Sequence, residues 1–218
     1  MKPYIYFRAI GEQDGFGDWT DKIVYSPADI LQTEEACYPY RGRYGLHAIT
    51  AQAGEGLAYV RKTGLGISIP PGGSVCISYA IRFQFKEGNE ACDNNVWAMN
   101  ASGQRVCEIG IDQTGGFDCP VDEDDGGNVS VLTTENFSDG EWHWLNFLLR
   151  RPTSADANDG YAGIYVDGVC RWSESNIDNY NRLATLDEIR LGKISLAHDV
   201  VVDFDEIVIS DRLVRPYI

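Results

Sequence analysis

No stretch of the 218-residue chain is apolar for long enough to cross a bilayer as a helix. The N-terminal run Met1-Lys-Pro-Tyr-Ile-Tyr-Phe-Arg8 reaches an arginine too early for a secretory leader, so neither membrane insertion nor a signal peptide is expected. Basic side chains are scarce as well. Eighteen Lys and Arg stand against 33 Asp and Glu, a formal charge of −15 that repels phosphate backbones and anionic lipid and excludes nucleic acid as a natural partner. Methionine is nearly missing at 2 residues while glycine reaches 23, which points to many turns and little helix. Only Ser26–Glu35 and Asn176–Leu183 hint at helix, and neither sustains an amphipathic period. The six cysteines, Cys37, Cys76, Cys92, Cys107, Cys119 and Cys170, contain no C-x-x-C pair and no histidine at zinc spacing, so a structural zinc site is not expected. Three disulfides and free thiols both fit the even count, and Cys76, inside a strand pattern, fits a buried thiol.

What is present is alternation. From Val75 to Phe85 apolar residues fall on every second position, with Cys76, Ser78, Ala80, Arg82 and Gln84 between them, which predicts a long half-buried strand. Shorter β-rich runs lie at Ile5–Ile10, Leu46–Thr50, Leu57–Lys62, Val96–Met99, Arg105–Ile111, Val129–Thr133, Trp142–Arg150, Tyr161–Trp172, Glu188–Leu191 and Val200–Ser210. Asp167-Gly168 between two such runs predicts a tight hairpin turn, and acidic, Gly-rich Asp118–Asn128 reads as a long surface loop. About a dozen strands without an internal linker or repeat predict one all-β domain over residues 1–218, a sandwich of two antiparallel sheets.

Four stretches in order carry a resemblance. They are Arg41-Gly-Arg-Tyr-Gly-Leu-His with Ala58-Tyr-Val-Arg-Lys, then Asp139-Gly-Glu-Trp-His-Trp-Leu, then Ile164-Tyr-Val-Asp-Gly, then Phe204-Asp-Glu-Ile-Val-Ile-Ser-Asp-Arg-Leu. Their order and spacing resemble the laminin G-like, concanavalin A-like lectin/glucanase jelly rolls. The resemblance implies two sheets of six or seven strands, one of them concave, and roles that include glycan binding, polysaccharide cleavage and structural assembly.

Residues must choose among these roles. Glucanases of this fold carry an E-x-D-x-x-E run, which puts carboxylates on one strand face, and alginate lyases need a Gln-x-His element. Neither occurs here. Glu108-Ile-Gly-Ile-Asp112 reads as two polar residues on an exposed strand face, and the expectation is a non-catalytic domain. The resemblance also implies one structural Ca²⁺, for which Asp205 matches the closing-strand carboxylate, Gly45 supplies a carbonyl, and Asp14 or Glu12 an early-loop oxygen. Trp142 falls at the family's core Trp-His position. Trp97, Trp172 and Tyr180 are the aromatic candidates for stacking a sugar ring, with Trp97 and Trp172 as a joint platform. The expected function is a structural or binding module, such as a virion decoration, tail component or adhesin domain at a virion or extracellular surface. Its expected partners are proteins of an assembly or glycans, with homo-oligomers compatible. The alternatives are an exported carbohydrate-binding module and a divergent hydrolase or lyase.

Overall fold

The computed structural model describes residues 3–9, 18–25, 28–33, 45–50, 57–85, 93–194 and 200–215. Within them the chain forms two large antiparallel sheets. The first runs, in spatial order, β14 (Val169–Ile177), β13 (Gly160–Val166), β12 (His143–Arg150), β7 (Ser74–Phe85), β17 (Val200–Ser210), β4 (Gly45–Thr50) and β3 (Ala28–Thr33), with β1 (Ile5–Ala9) also paired to β17. The second runs β11 (Asn128–Leu132), β10 (Phe117–Asp122), β9 (Arg105–Ile111), β8 (Asp93–Met99), β16 (Glu188–Lys193), β5 (Leu57–Lys62) and β2 (Asp21–Tyr25). A small ladder joins β6 (Ile67–Ser68) to β15 (Thr185–Leu186).

The alternation of β7 sends Val75, Ile77, Tyr79, Ile81 and Phe83 into the space between the sheets, where they meet Val96, Ile109, Phe117, Ile189 and Leu191 of the second sheet. Phe83 and Phe117 close the gap edge to face at 5.9 Å between ring centres. Each such fully buried side chain contributes about 1.5–3 kcal/mol.

The other face of β7 departs from the expectation of a half-buried strand, because Cys76, Ser78 and Ala80 are fully buried too. The segment after β17 folds back over them. Trp144 Nε1 donates to the Val214 carbonyl at 2.9 Å, and Asn146 Oδ1 accepts from Ser78 Oγ at 2.8 Å and from Val214 N at 3.2 Å. Ala80, Trp144, Val208 and Val214 thus form a second small core, with Trp142 packed against it under the Arg82 guanidinium, 5.0 Å from the ring centre. Burial pushes the Cys76 thiol up to about 12, which leaves it un-ionised and inert at neutral pH.

Other local expectations are corrected by their surroundings. Ser26–Glu35 contains strand β3 rather than helix, because Ile30 is buried in the common core and β4 supplies a ladder. Asn176–Leu183 holds the end of β14 and leads into a 3-10 turn at Arg182–Ala184. The acidic stretch Asp118–Asn128 is a hairpin of β10 and β11, and its carboxylates fasten it to neighbouring chain: Asp124 accepts from Asn181 N, Asn181 Nδ2 and Arg182 N, each at 2.8 Å. Cys76, Cys107, Cys119 and Cys170 are free thiols, so three disulfides do not form; Cys37 and Cys92 lie outside the described residues.

Asp167 and Gly168 adopt the expected turn, with φ of 53° and 80°, as a type I′ hairpin requires. The turn also organises a histidine. His143 Nδ1 lies 2.8 Å from Asp167 Oδ2 and its Nε2 lies 3.1 Å from Asp139 Oδ1. The Asp167 bond, with Asp139 adding, raises the imidazole pKa against the opposing effect of burial. A group whose folded pKa is raised stabilises fully below its unfolded value, near 6.5, and loses that contribution as pH rises through the folded value. Raising pH from 6 to 9 should therefore cost up to about 1 kcal/mol of unfolding free energy, and His143→Gln should flatten that slope in urea titrations at the two pH values.

Candidate functional site

The outward face of the second sheet carries a connected set of polar and aromatic groups that the core does not claim. Across five neighbouring strands Asp21 pairs with Arg61, Arg61 with Arg190, Arg190 with Trp97 and Trp97 with Glu108. Cross-strand partners share a face, and the flanking Val60, Leu191, Val96 and Cys107 point into the core, so this row points away from it. A bulge sharpens it. Met99 pairs with Arg105 and Ala98 with Cys107, leaving Val106 as an extra residue, and this turns Arg105 and Glu108 onto the same side despite their spacing of three.

Arg105 is fully engaged: it forks onto Asp122 at 2.9 and 2.8 Å, and its third nitrogen donates to Glu108. Its guanidinium carbon stands 5.9 Å from the Trp97 ring centre, and that of Arg190 stands 5.4 Å from it. Arg190 is also 5.5 Å from the Tyr59 ring, and its Nε donates to Glu188 at 2.6 Å. Arg61 spends Nε and one terminal nitrogen on Asp21, at 3.0 and 2.5 Å.

Two carboxyl groups here are shifted. Burial raises the pKa of Glu108, Arg105 opposes it, and Asp118 and Asp122 add to it; burial raises Asp118, helped by Asp112. Glu108 is only 8% exposed, not the exposed strand residue expected from the sequence. Asp118 Oδ1 is buried without a hydrogen-bond partner, an expensive condition that native proteins rarely leave unexplained, while the Trp97 indole N–H is turned to the Glu108 carboxyl and opposes the rise in its pKa. A carboxyl whose folded pKa is raised costs stability as pH climbs through that value and costs nothing below its unfolded pKa. Asp118→Asn should therefore stabilise at pH 7 by about 0.5–1 kcal/mol and be neutral at pH 3, as paired thermal melts would read.

Of the aromatic candidates, Trp97 stands at the centre of this face, clamped between two guanidinium groups. Trp172 lies on β14, the edge strand of the other sheet, 43% exposed. Tyr180 sits under Arg151, whose guanidinium carbon is 4.0 Å from its ring centre and whose Nε donates to its carbonyl. The structure does not bring the three together. Asp205 follows the Phe204 to Leu46 pair of β17 and β4, and its Oδ1 accepts from Glu206 N at 2.7 Å; Gly45 opens β4. Asp14 and Glu12 lie outside the described residues, and no group of three metal-ligating side chains occurs among those described. The sequence reading missed Arg190, Arg105, Tyr59 and Asp118. Their outward parity within each strand was readable, but not the strand order that makes them neighbours.

The same arrangement of sheets occurs in solved structures. An endo-β-1,4-glucuronan lyase from the fungus Trichoderma reesei superposes with a TM-score of 0.68 over 96% of this chain and 96% of its own, at 15% identity. The chain is a jelly-roll β-sandwich. A carbohydrate esterase from the Shiga toxin-encoding bacteriophage phi24B matches with a TM-score of 0.63 over 97% of this chain and 100% of its own, at 11% identity. The binding domain of botulinum neurotoxin serotype G matches with a TM-score of 0.62 at 12% identity, over 97% of this chain but 49% of that one. No family profile and no curated protein matches the sequence. At such identities the likeness shows the fold alone. It nevertheless overturns the expectation of a non-catalytic domain, which rested on the missing motifs of two enzyme groups: a lyase and an esterase share the fold across the whole chain, so the absence of those motifs excludes nothing.

Proposed function

We propose that this protein is a carbohydrate-recognition module whose site is the outward face of the second sheet, centred on Trp97, Arg190 and Asp118. The observation that carries this reading is the convergence on one outward face of the Trp97 ring, the Arg190 guanidinium stacked on it and the buried Asp118 Oδ1, which has no hydrogen-bond partner. Sugars supply hydroxyl donors and acceptors in the density such groups lack. The competing explanation, a solvated salt-bridge network, accounts for Arg105 and Arg61 but not for the unpartnered Asp118 oxygen or the terminal nitrogens of Arg190. The names of the solved relatives, which include a polysaccharide lyase, a carbohydrate esterase and a botulinum serotype D domain in complex with N-acetylneuraminic acid, point to the same ligand class. The order of the four sequence stretches supports kinship with the laminin G-like branch of the fold.

A second reading, glycan cleavage at the same face, is favoured by the raised pKa values of Glu108 and Asp118, since carboxyl groups poised above their ordinary range exchange protons more readily near neutrality. The bacteriophage origin of one full-length relative supports a role on a virion surface, where such a module would contact host glycans.

A glycan array in calcium and again in chelator, with released reducing ends and unsaturated products assayed in parallel, tests these readings together. Calcium is included because the family resemblance implies one structural Ca²⁺ with Asp205 among its oxygen ligands. Saturable binding that Trp97→Ala abolishes supports the module, and product release that Glu108→Gln abolishes supports cleavage. Binding that survives Trp97→Ala unchanged would move the site elsewhere.

A further inference from the structure

We infer that Arg190 is a preformed receptor for a carboxylate, so that the preferred ligand of this face is an acidic sugar; the inference rests on the glycan reading above. Three guanidinium groups occupy the face, and they are used differently. Arg105 spends all three nitrogens on Asp122 and Glu108, and Arg61 spends two on Asp21. Arg190 spends only Nε, on Glu188, and its two terminal nitrogens, with four N–H donors, meet no acceptor among the described residues.

The group is also held still. Its guanidinium carbon lies 5.4 Å from the Trp97 ring centre and 5.5 Å from that of Tyr59, so two aromatic rings and one carboxylate fix it while it stays 20% exposed. Ordering an arginine normally costs rotamer entropy on binding, and here the fold has already met that cost. The free edge of a guanidinium matches the two oxygens of a planar carboxylate, forming two parallel charge-assisted hydrogen bonds. Arg61, directly opposite Arg190 on β5, is matched by Asp21 as Arg190 is by Glu188, so the face carries no net positive charge. The chain as a whole carries a charge of −15, so diffuse attraction cannot gather polyanions, and recognition falls to this short-range fork.

The test compares matched ligands on the full chain by calorimetry: oligogalacturonate against its methyl ester, and sialyllactose against lactose, with wild type, Arg190→Lys and Arg190→Gln. Wild type should prefer the carboxylate member of at least one pair by roughly ten- to a hundredfold, the usual worth of charged hydrogen bonds. Whichever pair shows the preference tells uronate from sialate. Arg190→Lys, which keeps the charge and loses the fork, should lose most of that preference, and Arg190→Gln all of it. Equal affinity of wild type for both members of each pair would overturn the carboxylate inference and leave the glycan reading standing. Full preference retained by Arg190→Gln would overturn it as well. If neither these sugars nor the broad array shows binding, both readings fail.

Discussion

Trp144→Ala should destabilise the protein by about 3–5 kcal/mol, the range for emptying a buried tryptophan site. Trp144 is 2% exposed and lies on the outer side of the first sheet, where an ordinary sandwich would meet water. Its indole N–H holds the Val214 carbonyl, and that segment in turn covers Ser78 and Cys76 through Asn146. Loss of the indole removes the apolar contact with Ala80, Val208 and Val214 and frees the clamp as well. Urea unfolding should show the lower midpoint. Mass-mapped thiol labelling should show Cys76, inert in the wild type, becoming reactive. A loss below about 1 kcal/mol, against that expected range, would mean that the returning segment is held by something other than Trp144.

Gly192→Ala should cost about 3 kcal/mol and also impair the proposed site. Gly192 has a φ of 141°, a region that side chains rarely enter, and it stands opposite Tyr59 in the β16–β5 ladder. An added Cβ would fall 2.7 Å from the Tyr59 Cα and closer still to the Ala58 carbonyl. The ladder has to part to accept it. Tyr59 is one of the two rings that hold Arg190, which lies two residues away on the same strand, so any glycan affinity should fall together with the melting temperature. Asp118→Asn provides the contrast, because it should raise stability while lowering affinity. Opposite signs in those two variants would separate a face tuned for ligand from one tuned for folding.

The sandwich was legible in the sequence because a period of two leaves a clear mark: the alternation of Val75 to Phe85 and the Asp167-Gly168 turn survive in the structure with their roles intact. The double burial of β7 was not legible, since Cys76, Ser78 and Ala80 look polar or small and only the return of Val214 over them makes them interior. β3 and β10 were missed for a related reason. Their residues have ambiguous local preference, and ladders to β4 and β9 decide them. At the site, Trp97 was recognisable as an aromatic of uncertain fate, but Arg190 was one arginine among many. Its significance comes from strand order, which places residues 59, 97 and 190 side by side although more than ninety positions separate the last two. The bulge at Val106, which turns Arg105 toward Glu108, leaves no mark in composition or period.

The five tryptophan indole N–H resonances provide the most direct test of the central claim, that glycan binds the outward face of the second sheet. In a proton–nitrogen correlation spectrum of the labelled protein, titrated with the best array ligand, the Trp97 signal should move. It carries the indole N–H at the centre of the face, between the Arg190 and Glu108 strands. The signals of Trp144, bonded to Val214, and of Trp172, on the opposite sheet's edge, should stay. Movement of Trp172 with Trp97 unchanged would place the ligand on β14 and contradict the account.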